Sequence, residues 1–177
     1  MRRDRVRRVT VTGSESTGKT SLARRLAEQF RTLWVPEFSR EYAMHKAAPL
    51  DASDVEPIAH GQMRLEDEVL TRARGVVILD TDLVSTVVYA EHYYGSCPPW
   101  VDAAARERLA DLYLLCDIDA PWVADPVRDR ADARAEIHAA FTAQLQRYGA
   151  PYVIIRGDWA TREASAVAAV EALLTRA

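Results

Sequence analysis

Hydrophobic positions along this chain follow two periods that alternate. From Arg5 to Thr12 the order RVRRVTVT sets Val6, Val9 and Val11 between polar neighbours, the pattern of a strand, and runs straight into GSESTGKT. Between Thr20 and Arg31, Leu22, Leu26 and Phe30 return every fourth residue, which predicts a helix with one apolar stripe. LWV at 33–35 reads as a short strand closed by Pro36, and residues 39–48 as a helix. Asp51 and Ser53 offer caps to a longer helix that carries Ile58, Leu65 and Val69 on one face to about Arg74, before Gly75 ends it. VVILD (76–80) and LYLLCDI (112–118) are continuous apolar runs, as strands buried on both faces require. Further helices are predicted over 82–94 and about 100–110, around the break GSCPP, then over about 132–147 and 160–175. YVIIR (152–156) reads as the last strand, and 121–131, rich in Pro, Asp and Arg, as a loop.

Strand and helix alternate five times without a repeat or a linker, which predicts a parallel sheet with helices on both faces. Ligands of such sheets sit beyond the carboxyl ends of the strands, so the residues just after each strand matter most. With 177 residues the chain is expected to form one domain, 1–177, around a single substantial core. Hydrophobic residues at 49% and charged residues at 28% are an ordinary soluble balance. A net charge of −3 gives no footprint for nucleic acid, and the cluster Arg2, Arg3, Arg5, Arg7 and Arg8 reads as a solvated lead-in to the first strand. No apolar run of signal-peptide type follows that cluster, and none approaches the roughly 18 residues of a membrane span. Cys97 and Cys116 have neither metal nor disulfide spacing, which suits a buried thiol at Cys116 and a cytoplasmic location. The chain contains no Asn, so it has no glycosylation sequon and no Asn-Lys-x-Asp motif for reading guanine. Of its 23 Lys and Arg residues only Lys19 and Lys46 are lysines.

One of those two lysines completes a motif. Gly13-Ser14-Glu15-Ser16-Thr17-Gly18-Lys19-Thr20 fits G-x-x-x-x-G-K-[ST] in full. The glycines permit backbone angles at which successive N–H groups converge on a phosphate, and the helix that begins near Lys19 adds the positive end of its dipole. Lys19 is placed to reach the β- and γ-phosphates of ATP, Thr20 to offer a hydroxyl to Mg²⁺, and Ser21 to add a hydrogen bond. At this chain's residue frequencies, chance supplies the motif roughly 3 times in 10,000 chains of this length, before the strand in front and helix behind are required.

Acids and arginines after the other strands suggest what the nucleotide is for. Asp80 ends VVILD, where a P-loop protein keeps its Mg²⁺-associated carboxylate; the alternative is a cap on the next helix. Motors of the AAA and ABC types place a Glu directly after this Asp, and here Thr81 follows, which disfavours a dedicated hydrolase. Asp82 either hydrogen-bonds a substrate hydroxyl or is that helix's N-cap. Glu37, after the second strand, is placed to accept or orient the proton of an attacking hydroxyl, with Arg40 and Tyr42 near it. Glu37 and Arg40 at i, i+3 also suit a plain helix pair worth about 0.2–0.5 kcal/mol. Arg128, Arg130 and Arg134 suit a lid that closes over the transferring phosphoryl group, or else a charge-mixed surface loop with Asp125, Asp129 and Asp132. Trp34, Trp100, Trp122 and Trp159 read as packing residues, one of which stacks on a ligand ring at most. The histidines 45, 60, 92 and 138 show no ligand spacing.

Taken together, GSESTGKTSL, VPEFSREY, VVILDTD and DIDAPWVADPVRDR make the chain resemble the ribosylnicotinamide kinase domain of NadR-type proteins, over nearly its whole length. The resemblance implies a three-layer α/β fold like that of P-loop nucleoside and nucleotide kinases, with a five-stranded parallel sheet. It implies transfer of the γ-phosphate of ATP to the 5′-hydroxyl of nicotinamide riboside, giving nicotinamide mononucleotide for NAD salvage. By position it assigns Glu37 and Arg40 to the substrate pocket, Asp80 to Mg²⁺ and the hydroxyl, Asp82 to the ribose, and Arg128 to the lid. Longer members carry an adenylyltransferase domain with an H-x-G-H signature that none of the four histidines here forms, so this chain is expected to stop at the mononucleotide. Pro36 stands where some relatives have an aromatic, and Pro126 where some have a lid Gly. Two competitors remain at this point: a kinase for another nucleoside, nucleotide or small metabolite, and an ATP-binding regulatory module.

Overall fold

The computed structural model describes residues 5–119 and 133–176. Within them all five predicted strands form: β1 (Arg7–Thr12), β2 (Trp34–Val35), β3 (Val76–Asp80), β4 (Leu112–Cys116) and β5 (Tyr152–Ile155). They pair in parallel in the order β2-β3-β1-β4-β5, with Val9 in register with Ile78 on one side and Leu112 on the other. The two unbroken apolar runs became β3 and β4, buried along their full length. Edge strand β5 alternates, with Val153 partly exposed. The alternating strand β1 nevertheless takes the centre of the sheet.

Seven α-helices form among the described residues: α1 (Lys19–Gln29), α2 (Phe38–Lys46), α3 (Val55–Arg72), α4 (Leu83–Tyr94), α5 (Pro99–Glu107), α6 (Arg134–Tyr148) and α7 (Trp159–Thr175). Strand side chains alternate between two cores. Val9, Val11, Ile78 and Leu114 point to α1 and α7, where Leu22, Leu26 and Val170 meet them. Tyr113 and Leu115 point the other way, to Val84 and Val88 of α4 and Ile137, Phe141 and Leu145 of α6. Each fully buried aliphatic side chain stabilises this sandwich by about 1.5–3 kcal/mol. Helix α3 covers β2 and β3 through Leu65, Val69 and Leu70.

The start of the long helix differs in detail from expectation. Asp51 and Asp54 cap one another's backbone around a single 3-10 turn, Ala52–Asp54, and α3 continues from it. No helix among the described residues is long and apolar enough to cross a membrane. Arg128, Arg130 and Trp122 lie outside the described residues. The carboxyl ends of β1, β2 and β3 place the phosphate loop, Glu37 and Asp80 at one end of the sheet.

Candidate active site

The phosphate loop is built by backbone angles that few residues accept. Gly13 has φ 133°, and a Cβ there would lie 2.8 Å from the Cys116 carbonyl oxygen of the neighbouring strand. Gly18, at φ 80°, is the N-cap of α1. The loop curls around the Ser14 carbonyl, which accepts from Lys19 Nζ at 2.7 Å and from Thr17 Oγ1 at 2.9 Å. Two arginines brace it from outside. Arg134 Nη2 donates to Ser16 O at 3.1 Å, and Arg162 Nη1 to Thr17 O at 3.2 Å. Burial, with the Arg162 charge beside it, lowers the Arg134 pKa, against the opposing charges of Asp119 and Glu15.

Arg162 escaped the sequence reading. It also donates to Gly157 O and Asp117 O and pairs with Asp119, tying the loop to the ends of β4 and β5. The signal was present: Arg162 lies four and eight residues before buried Ala166 and Val170, a cation on an apolar stripe. Trp159, 44% exposed, stands over the other end of the loop, 3.4 Å from where a Gly18 Cβ would be. Trp34 instead lies under Arg24, and Trp100 stacks on His60.

Two carboxylates face the loop. Asp80 Oδ2 accepts from Thr20 Oγ1 at 2.6 Å, while its buried Oδ1 has no hydrogen-bond partner. Burial raises its pKa, opposed by the Thr20 hydrogen bond, and the nearby charge of Glu37 raises it further. Glu37 is itself buried, at the N-cap position of α2. Its Oε1 accepts from Ser39 Oγ at 3.0 Å, and the Nε of the solvent-exposed Arg40 lies 3.7 Å from its Oε2, so the i, i+3 pair exists with its carboxylate buried and its guanidinium at the surface. Among the described residues no group of three or more His, Cys, Asp or Glu side chains suits a metal by itself. A hydroxyl and one carboxylate with an unused oxygen do fit Mg²⁺, which keeps waters and phosphates for the rest of its shell.

Asp82 displays the capping alternative. Its Oδ1 accepts from Val84 N at 3.0 Å, and its Oδ2 from Tyr113 Oη at 2.7 Å and Thr10 Oγ1 at 3.3 Å. Burial raises its pKa. Between the two aspartates Thr81 has φ 66°, a left-handed angle that a β-branched residue adopts at a cost of about 1–3 kcal/mol. The strain turns Asp80 toward the loop and Asp82 toward α4. Tyr42 gives its hydroxyl to Asp54 at 2.9 Å, so it steadies a cavity wall instead of forming one.

Beside these acids opens a cavity of about 430 Å³ between α3 and α4. Tyr89, Tyr93 and Tyr94 line it, the first two with parallel rings 5.9 Å apart. Its charged lining among the described residues is Asp51, Asp54 and Asp82, with no Arg or Lys. Lys46 pairs with Asp51 and Asp54 from behind. Arg64, a conceivable phosphate ligand, is exposed on α3. The tyrosines were legible only as YAEHYY, which on sequence grounds is an ordinary helix face.

A family model described as an AAA domain matches residues 8–162. The trifunctional NAD biosynthesis/regulator protein NadR of Escherichia coli (strain K12) is 31% identical over 159 residues, 86% of this chain and 39% of that protein. Its namesake in Salmonella typhimurium is 35% identical over 127 residues, 70% of this chain and 31% of that protein. The chain thus spans well under half the length of these curated relatives. NadR protein solved in complex with NAD and AMP-PNP superposes over 98% of this chain and 51% of that one, with TM-score 0.83 and 29% identity. NadR solved in complex with NR gives TM-score 0.84 at 28% identity, covering 98% of this chain and 52% of that one. A thymidylate kinase from Ehrlichia chaffeensis shares the fold at TM-score 0.71 and 15% identity, over 93% of this chain and 98% of its own. The five-stranded parallel sheet with its flanking helices is the P-loop kinase fold of these structures.

Proposed function

We propose that this chain, which belongs to the AAA domain family, is an ATP-dependent kinase that phosphorylates the 5′-hydroxyl of nicotinamide riboside. The observation that carries this reading is the cavity beside the phosphate loop, walled by tyrosines and carboxylates and free of cationic lining among the described residues. A pyridinium ring is flat and positive, so stacked tyrosines and acids suit it on both counts. An acceptor that already bears a phosphate would need cations there. Arg40 lies against Glu37 instead, and Arg64 faces solvent. NadR proteins bound to AMP-PNP and to NR share the fold, which supports the same pairing of nucleotide and riboside here.

In the proposed reaction the acceptor's 5′-oxygen attacks the γ-phosphorus, the bond to the β–γ bridging oxygen breaks, and ADP leaves. Glu37 takes the hydroxyl proton, since Asp82 has spent its oxygens on the helix cap and its neighbours. Lys19 and the loop amides hold the charge that develops on the phosphoryl oxygens. Thr20 and Asp80 would hold Mg²⁺, which supplies further neutralisation of that charge. Thr81 stands where AAA-type motors carry a Glu, which favours transfer to an acceptor over dedicated hydrolysis. Transfer to the 5′-hydroxyl gives nicotinamide mononucleotide and ADP as the products.

Steady-state assays of the purified chain with ATP, Mg²⁺ and a panel of ribosides test this. Turnover of nicotinamide riboside above adenosine, guanosine, uridine and cytidine is expected. Preference for an ordinary nucleoside would replace the acceptor and keep the kinase. ATP binding without transfer to any acceptor would make the chain a nucleotide-responsive regulatory module instead.

A further inference from the structure

The phosphate loop contains a side chain that phosphate binding does not call for. Glu15 is the third residue of the loop and 3% exposed, yet its carboxylate has the same sign as the loop's ligand. Its Oε1 accepts a hydrogen bond from Tyr93 Oη at 3.3 Å, and Tyr93 lines the tyrosine-walled cavity. Its Oε2 is buried and has no hydrogen-bond partner. A buried carboxylate oxygen without a donor is unfavourable, and a ligand that brings an O–H removes the penalty. The other acids near the cavity mouth are differently engaged. Asp82 is taken up by Val84, Thr10 and Tyr113, and Glu37, beside Ser39 and Arg40, is assigned to the reacting hydroxyl. Asp80 keeps one open oxygen, but beside Thr20, where a hard cation fits.

Tyr93 sets the Glu15 carboxylate next to the cavity that Tyr93 lines. An acceptor whose ring lies among the tyrosines, and whose reacting hydroxyl meets a phosphate held by the loop, must lay its sugar across the boundary between cavity and loop. The hydrogen bond from Tyr93 to Glu15 spans that boundary. We propose that Glu15 determines acceptor specificity by accepting a hydrogen bond from a secondary sugar hydroxyl at Oε2, while Tyr93 holds Oε1. The site then selects ribosides over their deoxy counterparts, and the same negative charge turns away acceptors with a phosphate on that edge. This inference rests on the riboside-kinase reading above.

The test compares kcat/KM for each riboside of the panel with that of its 2′-deoxy and 3′-deoxy analogues, in the wild type and in Glu15→Gln, Glu15→Met and Tyr93→Phe. The wild type is expected to prefer the full riboside to one of its deoxy analogues by about 10- to 100-fold. Glu15→Gln, with a neutral and weaker acceptor, should shrink that ratio, and Glu15→Met, with none, should bring it near one. Tyr93→Phe should leave most of it, because Oε2 remains. Thermal melts and ATP calorimetry confirm that each variant is folded. An undiminished ratio in folded Glu15→Met overturns the inference while leaving the kinase reading intact. Turnover of another riboside in place of nicotinamide riboside overturns that acceptor and still measures the Glu15 effect. A wild type that phosphorylates no riboside overturns both.

Discussion

Lys19 is one of two lysines in a chain otherwise served by arginine, and its ammonium is bonded to the Ser14 carbonyl at 2.7 Å inside the loop it serves. A compact, rotatable cation suits that enclosed bend better than a planar guanidinium. Lys19→Ala is expected to lower kcat by about 10²- to 10³-fold, by analogy with the loss of one charge-stabilising donor. The melting temperature should move little, because Lys19 is not part of the hydrophobic core and Thr17 still donates to the Ser14 carbonyl. Stopped-time phosphorylation assays beside a thermal melt check both, and near-normal turnover would contradict the placement of the γ-phosphate. Residue identity made Lys19, Thr20 and the glycines readable, since their task depends on local backbone geometry. Asp82 was not readable to the same degree. Whether its carboxylate caps a helix or meets a sugar depends on Thr10 from β1 and Tyr113 from β4, residues far away in sequence.

Among the elements, α2 shows how a short helix can be aimed by its neighbour. It buries no residue fully, and Glu37 at its N-cap position makes no cap hydrogen bond. The missing cap comes from α3: Gln62 Oε1 accepts from Phe38 N at 2.9 Å. Phe38 also lays its ring on Gly61, where an added Cβ would fall 2.0 Å from the ring. Gly61 sits inside a helix, where Ala would ordinarily be favoured by about 1 kcal/mol. Gly61→Ala is nevertheless expected to destabilise the chain by about 1–3 kcal/mol, because the methyl group must displace Phe38. Glu37, one residue away, should shift with it, lowering kcat more than ATP affinity. Denaturant melts and kinetics read this, and a stabilised, fully active variant would show that α2 is not aimed by this contact. Both helices were expected from the sequence, α3 through its stripe of Ile58, Leu65 and Val69. Their docking was not, because a mid-helix glycine carries no sign of which ring will cover it.

At the scale of the whole molecule, Glu66 links stability to pH. It is 2% exposed, and burial pushes its pKa from 4.5 up to about 7, with the charge of Asp82 adding to the rise and Arg108 and Gln62 opposing it. The folded chain therefore holds a proton that the unfolded chain has released. The stabilisation from that proton is fully present below pH 4.5 and is lost as pH rises through about 7. Over that window the loss is at most about 3 kcal/mol. Glu66→Gln cannot release the proton, so its melting temperature should fall less than that of the wild type between these pH values. Parallel slopes for the two proteins would show that Glu66 titrates normally.

The amino-acid order by itself determined the alternation of elements and where the phosphate-binding bend falls. Each of these depends on interactions within a few residues or on the average polarity of a segment, and both are written locally. Tertiary structure alone decided that Arg162 braces the loop from the last helix, that Tyr89 and Tyr93 form a cavity wall, and that Glu15 meets Tyr93 with one oxygen and leaves the other open. Each of these depends on which atoms from separate elements share a space, and on which hydrogen bonds are already satisfied once they do.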